Sequence, residues 1–464
     1  MKTNKLFIVL ILAIDVLFIS CEDFVAIDFP GTQVPSEIIF ENYNLTESAV
    51  EGIYHSMFNQ DNFAAGYSQT VSCISGLSAG ELNASPIFTP LIEFSQNEVA
   101  SQNSYNYALW SSAYNIIYMS NAVFEGVSNS QSLNETDKAQ FTGEVKFIRA
   151  FTYFYLVNLF GKVPLILSTD YNENALAHQV SVDEIYTQII DDLNDAHNLL
   201  NQEYRLSERT NPNKLAVSAL LARVYLYRGD WVKAEMFSSE VIDSGIYNII
   251  DNLDDVFLAN SLEAIWQIKP PSLGYTNDGN MFILTSSPIT YYFQPVYVSD
   301  DLINDFEVGD LRQTKWIGTY FDSSIGQTLY YPFKYKIKTS AATAPTEYSM
   351  VMRLAEQYLI RAEARAQQGN ISGGLSDLNV IRNRANLIDI SGVSQNELLK
   401  DIIQEKRIEL FTEWGHRWLD LKRTNNTDAI LSPIKPNWNS EDKLYPIPLR
   451  ELDSNPNLNQ NSGY

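Results

Sequence analysis

The chain has 464 residues, and 45% of them are hydrophobic, which is enough to bury a large core. It carries 32 basic and 56 acidic residues, for a formal net charge of −24 at pH 7. A field of that sign repels the phosphate backbone and no basic cluster stands out against it, so the composition excludes nucleic acid as a partner.

The first twenty residues have the layout of an export signal. Lysines in the first five residues precede an apolar run from Leu6 to Ile19. At about 14 residues, this run is shorter than the ~20 residues that a membrane-spanning helix needs, and Asp15 makes spanning costlier. We therefore interpret residues 1–20 as a signal peptide that is removed.

The signal ends at Cys21, whose thiol is expected to receive a diacylglyceryl group, so that acyl chains anchor the mature protein to a membrane. A lipobox usually has Leu at the position of Phe18 and a small residue at that of Ile19, so a plain secretory signal remains the alternative. The other cysteine is Cys73. Lipidation of Cys21 therefore leaves no intramolecular disulfide, and stability must come from the core.

Apolar residues at helical spacing predict a mainly α-helical protein. The S-x-x-E sequences Ser181 to Glu184 and Ser394 to Glu397 are capping boxes that start two helices. The first four long helices are predicted at 46–59, 105–125, 138–160 and 181–200.

Two later segments predict hairpins of closely packed helices. In the first, Ala219 and Ala222 allow close approach, Gly229 provides a left-handed turn and Asp230 caps the second helix. A related pattern returns around Gly369 and Asn370. Both resemble tetratricopeptide repeats.

The fold class predicted is therefore a mainly α, tetratricopeptide-like scaffold with long loop-rich insertions that carry short strands, in one domain. Loops on such a scaffold are where binding sites usually lie. The predicted organisation after the signal peptide is a single domain at 21–464, with scaffold at about 37–60, 104–245 and 349–424, a loop-rich ligand face at about 60–103 and 247–348, and an extended tail at 425–464.

Six blocks of the chain carry a resemblance to a known family: 147–165, 214–234, 353–370, 378–387, 405–423 and 445–464. They are the strongest parts of a match that covers nearly the whole chain, and the chain resembles the SusD/RagB family of outer-membrane nutrient-binding lipoproteins of Bacteroidetes. One departure is the run from Glu413 to Arg417, where the family usually has E-G-x-R, and this puts the helix junction there in doubt.

The resemblance implies a lid on a SusC-like TonB-dependent outer-membrane transporter, to which the protein delivers a captured oligosaccharide, polysaccharide or peptide. Glu22 and Asp23 follow the lipidated cysteine and resemble the family's signal for display on the outer cell surface. Sugar recognition needs flat aromatic surface together with amides or carboxylates. The candidate ligand-binding residues in the two loop regions are Tyr67, Asn83, Phe88, Tyr275, Tyr291, Tyr292 and Trp316.

Three features suggest chemistry but have simpler interpretations. The sequence Gly76 to Gly80 fits the nucleophile pattern G-x-S-x-G around Ser78, yet the strand and helix that such an elbow needs are not predicted. Asp251, Asp254 and Asp255 could supply oxygen to calcium but lack the spacing of a calcium loop. Scattered histidines predict no transition-metal site, so the sequence predicts no cofactor and no enzyme.

A ridge of carboxylates at Glu405, Glu409 and Glu413 is expected to face arginines in a structural network, because like charges on one helix face repel. The arginines proposed to face it are Arg361, Arg365, Arg382, Arg384, Arg417 and Arg423. The functional hypothesis is glycan capture without catalysis. The alternatives are a peptide ligand on the same scaffold, a pure assembly scaffold, and an esterase-like enzyme at Ser78.

Overall fold

The structure is a computed structural model that describes residues 36–59, 61–271, 273–291 and 294–464. The predicted signal peptide and the predicted lipid attachment at Cys21 lie outside the described residues. Within those ranges, no helix combines the length and the apolar character needed to cross a membrane. The prediction of a mainly α-helical fold is confirmed.

The amino-terminal half contains all four of the long helices that the periodicity predicts. The capping box at Ser181 is present, with the side chain of Glu184 accepting from the Ser181 backbone N–H. The helices are α1 (Ser36–Ile39), α2 (Tyr43–Met57), α3 (Val71–Ser78), α4 (Thr89–Gln96), α5 (Ser104–Asn129), α6 (Glu135–Phe160), α7 (Tyr171–Asn174) and α8 (Val182–Leu199).

The region 60–103, which the sequence predicts to be loop-rich, contains the short helices α3 and α4. Helix α3 is rich in Ser and Gly, which hides its periodicity, but Thr70 caps it and every one of its residues is buried. Helix α4 begins with Pro90 in its first turn, where the missing N–H costs nothing.

The rest of the chain, from Lys214 onward, holds both predicted hairpins and several short helices between them. The capping box at Ser394 is also present. The helices are α9 (Lys214–Arg228), α10 (Trp231–Asp243), α11 (Asn277–Phe282), α12 (Asp300–Asn304), α13 (Leu311–Trp316), α14 (Leu354–Gln367), α15 (Ile371–Arg384), α16 (Gln395–Glu409), α17 (His416–Arg423), α18 (Thr427–Leu431) and α19 (Leu449–Ser454), with 3-10 turns at Leu253–Asp255 and Ser440–Lys443.

The strands form small antiparallel pairs, and three of the four pairs draw strands from the loop-rich region. The pairs join β1 with β5, β2 with β3, β4 with β8, and β6 with β7. The strands are β1 (Leu82–Ala84), β2 (Val163–Pro164), β3 (Gln179–Val180), β4 (Ala264–Ile268), β5 (Val296–Val298), β6 (Ile317–Asp322), β7 (Gln327–Pro332) and β8 (Ser349–Arg353).

The hairpins α9–α10 and α14–α15 turn as the sequence predicts. Gly229 (φ 71°) and Gly369 (φ 81°) take left-handed conformations, and Asp230 accepts a hydrogen bond from the backbone N–H of Lys233. A Cβ on Gly374 would lie 3.0 Å from the Ala362 carbonyl oxygen, so the second hairpin packs backbone to backbone there. Between the hairpins, Arg223 binds Glu356 through two hydrogen bonds of 2.6 and 2.7 Å.

The central helix α6 is buried from Phe147 to Phe160 almost without interruption, as its sequence predicts. The carboxyl-terminal tail is not purely extended, because it contains α18 and α19, and it packs back onto this helix. The side-chain amide of Asn461 donates to the carbonyl of Phe160 at 2.9 Å, and the backbone N–H of Tyr445 donates to the carbonyl of Leu159 at 2.8 Å.

The carboxylate ridge does face cations, in a cluster that we call the ion-pair core. Arg353 binds Glu263 at 2.9 Å and Glu413 at 2.8 Å and also contacts Glu409, while Arg384 binds the other oxygen of Glu263 at 3.0 Å. Five carboxylates meet five cations, so the core is close to neutral. Its members are Glu263, Asp310, Glu405, Glu409, Glu413, Arg312, Lys334, Arg353, Arg382 and Arg384.

Of the arginines predicted to face the ridge, Arg382 and Arg384 do so. The others bind elsewhere or lack a hydrogen bond at a buried nitrogen: Arg361 and Arg365 bind Asp377, Arg423 binds Glu363, and the Nε of Arg417 has no hydrogen-bond partner. Arg312 and Arg353 take their places. Burial alone would raise the pKa of Glu409, but the neighbouring arginines outweigh it and hold that pKa well below its usual range.

The doubtful junction between α16 and α17 is a sharp turn. Thr412, Trp414 and Gly415 all have positive φ. The backbone N–H of Trp414 donates to Ser72 Oγ at 2.9 Å, and its indole N–H donates to the carbonyl of Met350 at 2.7 Å. These bonds stabilise a backbone conformation that a bulky residue rarely adopts.

Arg353→Met should lower the free energy of unfolding by about 3–5 kcal/mol, because it leaves three buried carboxylates short of a cation. Urea denaturation followed by circular dichroism measures this. The matched control is Lys138→Met, which removes a surface ion pair of 3.7 Å and should cost less than about 1 kcal/mol. Equal losses in the two variants would contradict the structural role of the ion-pair core.

The ion pairs of the buried Glu363 should make the folded protein lose stability in acid. Burial opposes its ionisation, but Arg423 and Lys406 outweigh burial and lower its pKa to about 2. A carboxyl group whose pKa is lower in the folded state than in the unfolded chain stabilises the fold at any pH above its unfolded pKa of about 4.3. This stabilisation is lost as the pH falls towards the folded pKa of about 2. Glu363→Gln should therefore be less stable than the parent by on the order of 2 kcal/mol at pH 6, and this difference should shrink steadily as the pH falls from about 4.3 to about 2. Urea titrations across that range test it, and a difference that does not vary with pH would contradict it.

Candidate functional site

Three of the candidate ligand residues lie together in what we call the tyrosine patch, formed by Tyr67, Tyr275 and Tyr291. Tyr67 and Tyr275 are partly exposed, and Tyr291 is 47% exposed. Burial, together with the nearby Cys73, Tyr275 and Tyr291, raises the pKa of Tyr67 to about 12. The Tyr67 phenol therefore stays neutral at physiological pH. Segments more than 200 residues apart meet at this surface.

A buried amide fixes the first contact between these segments. Asn277, at the start of α11, donates to the carbonyls of Phe58 at 2.9 Å and Ala65 at 2.8 Å. These bonds hold the segment carrying Tyr275 against the loop that carries Tyr67. Because Asn277 is only 3% exposed, neither bond competes with bulk water.

Glycines let the backbone of the loop at 337–342 approach the same segment. A Cβ on Gly274 would lie 2.4 Å from the carbonyl oxygen of Ala342, and one on Gly279 would lie 2.4 Å from that of Ile337. No side chain fits at either position without moving the backbone opposite. Tyr275 is thus held from two sides.

The buried Gln294 bonds the loop that leads to Tyr291. Its side-chain oxygen accepts from the backbone N–H groups of Thr285 and Ser286, at 2.9 and 2.7 Å, and its amide donates to the carbonyl of Ile283 at 3.1 Å. This glutamine ties the loop from Ile283 to Tyr291 to the start of β5.

The β6–β7 hairpin adds an exposed aromatic that sequence reasoning missed. Phe321 is 64% exposed, and the adjacent Asp322 binds Ser287 in the loop that leads to Tyr291. The ring of Tyr331 covers Gly318, where a Cβ would lie 2.2 Å from the ring. The signal that could have found Phe321 is the alternation of Thr319 and Phe321 on the exposed face of a strand.

Asn83 lies outside the tyrosine patch. It pairs with Tyr297 across β1 and β5, and Tyr297 is a second residue that the sequence analysis missed. Asn83 lines a polar groove of about 460 Å³ whose other polar lining residues include Gln96, Ser299, Asp300 and Asn437. This groove offers amides and carboxylates of the kind that bind sugar hydroxyls.

Phe88 and Trp316 belong to the core, and their nomination as ligand contacts needs correction. Phe88 is 3% exposed and packs on Tyr105 with the ring centroids 5.4 Å apart. Trp316 is fully buried, with Lys334 Nζ 4.9 Å from its ring centroid and two arginines of the ion-pair core also over the ring. Neither ring has surface for a ligand to stack on, and Tyr292 lies outside the described residues.

Ser78 has none of the geometry of a nucleophile. It is fully buried in helix α3, and its Oγ lies 2.9 Å from the hydroxyl of Tyr445. The pattern G-x-S-x-G therefore lies within and just after a helix and not on a strand-to-helix turn.

The acidic stretch near residue 251 does not gather its carboxylates. Asp254 binds Lys315 at 2.6 Å and Lys336 at 3.2 Å, and these lysines lower its pKa despite partial burial. Among the described residues, no group of three or more His, Cys, Asp and Glu side chains could hold a metal ion.

Two family profiles match the chain. Residues 48–226 match the family described as starch-binding associating with outer membrane, and residues 287–464 match the family described as SusD family. The chain belongs to the SusD/RagB family.

Curated relatives of this SusD/RagB protein include the SusD-like protein P2 of Formosa agariphila. The two are 27% identical over an alignment of 521 positions that covers the full length of both chains. The starch-binding protein SusD of Bacteroides thetaiotaomicron is 27% identical over 429 residues, covering 73% of this chain and 74% of that protein.

Solved structures share the fold over nine-tenths of the chain. A SusD superfamily protein of Bacteroides vulgatus has a TM-score of 0.79 at 19% identity, covering 92% of this chain and all of the other. A laminarin-binding SusD-like protein has a TM-score of 0.74 at 25% identity, and the match covers 91% of this chain and 99% of the other. The surface glycan-binding protein A of Bacteroides thetaiotaomicron, in complex with laminarihexaose, has a TM-score of 0.76 at 19% identity. This match covers 90% of this chain and 99% of the other.

Ser78→Ala should lower the free energy of unfolding by about 1 kcal/mol, because it leaves the buried hydroxyl of Tyr445 without this partner. It should leave any background hydrolysis of a nitrophenyl ester unchanged. Chemical denaturation and the ester assay on the same preparation measure the two effects. A parent protein that hydrolyses the ester, together with a variant that does not, would restore the enzyme hypothesis.

Proposed function

We propose that this SusD/RagB protein captures an oligosaccharide or polysaccharide and does so at the tyrosine patch. The observation that carries the proposal is the meeting of Tyr67, Tyr275 and Tyr291 at one partly exposed surface, with Phe321 on the adjoining hairpin. Aromatic faces pack on the C–H faces of sugar rings, and phenol groups bind hydroxyls.

The family description and the relatives support a glycan over other ligands. One matching family is described as starch-binding, and the laminarin-binding neighbour is 25% identical to this chain. The polar groove beside Asn83 would supply hydrogen bonds for a longer chain that extends beyond the patch. Binding without catalysis is the proposed activity, since the relatives are named as binding proteins.

Tyr291→Ala and Phe321→Ala should each weaken glycan binding at least about fivefold, because an exposed aromatic anchor contributes roughly 1 kcal/mol or more when a ligand covers it. Isothermal titration calorimetry against a panel of neutral and charged polysaccharides measures the affinities. The matched control is Tyr171→Ala, which removes a tyrosine that is 79% exposed in α7. Its affinity should equal that of the parent.

The same calorimetry separates the alternatives. Heat from a peptide mixture and none from any glycan would replace the glycan with a peptide ligand. No heat from either class would favour an assembly scaffold. Glycan binding that survives both Tyr291→Ala and Phe321→Ala unchanged would move the binding site away from the tyrosine patch.

We further propose that Cys21 carries the lipid anchor in the outer membrane, that the protein faces the cell exterior, and that it hands its ligand to a SusC-like TonB-dependent transporter. The family's description as associating with the outer membrane supports this location. Cys21→Ser should release the protein from the membrane fraction. Purification of a tagged chain in mild detergent should bring the transporter with it, and its absence would contradict the partnership.

A further inference from the structure

A groove of about 500 Å³ lies on the surface of helix α5. One face of the helix forms part of its lining, because Tyr118, Glu125 and Asn129 follow one another there at helical spacing. Phe40, just before α2, and Thr169, just before α7, complete the lining from other parts of the chain. We call this surface the α5 groove, and its volume is within the range of pockets that bind small ligands.

The α5 groove combines one exposed ring with polar side chains. Tyr118 is 53% exposed. Around it the lining has the carboxylates of Glu41 and Glu125 and the amides of Asn129 and Gln131. Within the described part of the chain, no lysine or arginine lines the groove. Such a lining offers a stacking face and hydrogen-bond partners to hydroxyl groups, and it disfavours a ligand that carries phosphate, sulfate or carboxylate.

Hydrogen bonds tie the loop that carries Thr169 to helix α5. The carboxylate of Glu125 accepts from the backbone N–H of Thr169 at 2.8 Å and from its hydroxyl at 2.5 Å. The buried Asn121 donates to the carbonyl of Ile166 at 3.1 Å and accepts from Arg149 at 2.8 Å. This side of the α5 groove is therefore in place before any ligand arrives.

Phe40 is fixed against the same helix. Its carbonyl accepts from Ser130 Oγ at 2.5 Å, and the neighbouring carbonyl of Ile39 accepts from Thr46 Oγ1 at 3.0 Å. Its ring lies on Gly126, where a Cβ would be 2.1 Å from the nearest ring carbon. A groove whose sides are already ordered loses little conformational entropy on binding.

Helix α2 separates the α5 groove from the tyrosine patch. Phe40 lies just before this helix, and Phe58 follows its last residue. The carbonyl of Phe58 accepts from Asn277, which holds the segment carrying Tyr275. The 15 residues of α2 span about 22 Å at roughly 1.5 Å per residue. A trisaccharide is shorter than this helix, so one such molecule cannot fill both surfaces.

We propose that the α5 groove is a second binding site for a neutral glycan. Tyr118 stacks on the C–H face of a sugar ring, and Glu41, Asn129 and Gln131 bind its hydroxyls. The class of ligand rests on the glycan capture proposed above, whereas the surface is separate from the tyrosine patch. A polysaccharide long enough to reach both sites would be held at two points, which raises its apparent affinity above that of a short oligosaccharide.

Native mass spectrometry of the full chain with laminaritriose and with maltotriose counts the bound ligands. The parent should bind two molecules of at least one of these trisaccharides. Tyr118→Ala should reduce the count to one, and Tyr118→Phe, which keeps the ring, should retain two. The matched control is Met236→Ala, which removes an equally large exposed side chain, also 53% exposed, from α10 and should retain two.

Substitutions in the tyrosine patch separate the two sites. The double substitution Tyr291→Ala with Phe321→Ala should leave one bound trisaccharide, and adding Tyr118→Ala to it should leave none. Thermal melts verify that every variant is folded, which is expected because all three side chains are largely exposed.

The outcomes distinguish this proposal from the proposed function. A single ligand that is lost with the double substitution in the tyrosine patch but kept by Tyr118→Ala would overturn the second site and leave the proposed function intact. A single ligand that is lost only with Tyr118→Ala would support the α5 groove and overturn capture at the tyrosine patch. If the parent binds neither trisaccharide at millimolar concentration, both proposals fail.

Discussion

Transferring five carboxylates and five cations into a protein interior costs several kcal/mol per ion, and only dense pairing recovers it. In the ion-pair core the pairing joins elements that are distant in sequence. Glu263 precedes β4, Arg353 ends β8, Arg384 ends α15, and Glu409 ends α16. The loop-rich region at 247–348 is therefore bound to the helical hairpins by charge as well as by apolar packing. Any shift of one element would leave buried charges unpaired, which makes the relative position of scaffold and loops specific.

The surface that we propose for ligand capture depends on this attachment. Lys334 belongs to the ion-pair core, and the backbone that follows it passes over Gly279 and Gly274 to confine Tyr275. Asn277 and Gln294 then fix the neighbouring loops through buried hydrogen bonds. A binding face whose loops are already ordered loses little conformational entropy when a ligand arrives, so weak contacts to individual sugar rings suffice for capture.

Local chemistry explains which parts of the fold could be predicted from the sequence. Gly229, Asp230 and the two capping boxes act within one turn of the chain, so their roles are visible in the residues themselves. Trp316 could not be placed in this way, because its burial depends on cations drawn from remote segments. The same holds for Arg312 and Arg353, which carry no local mark distinguishing them from the other arginines. Helix α3 was missed because Ser and Gly pack tightly in a core yet resemble a loop in sequence.

The electrostatics of the whole molecule restrict the ligand that the proposed site suits. The net charge of −24 repels anionic polysaccharides as they approach. Tyr67 has a pKa of about 12, so this phenol adds no charge to the patch at physiological pH. Stacking and hydroxyl hydrogen bonds are then the interactions available, and both are insensitive to salt compared with ion pairs. A neutral glycan meets these conditions, because its rings offer C–H faces to the tyrosines and its hydroxyls need no counter-charge.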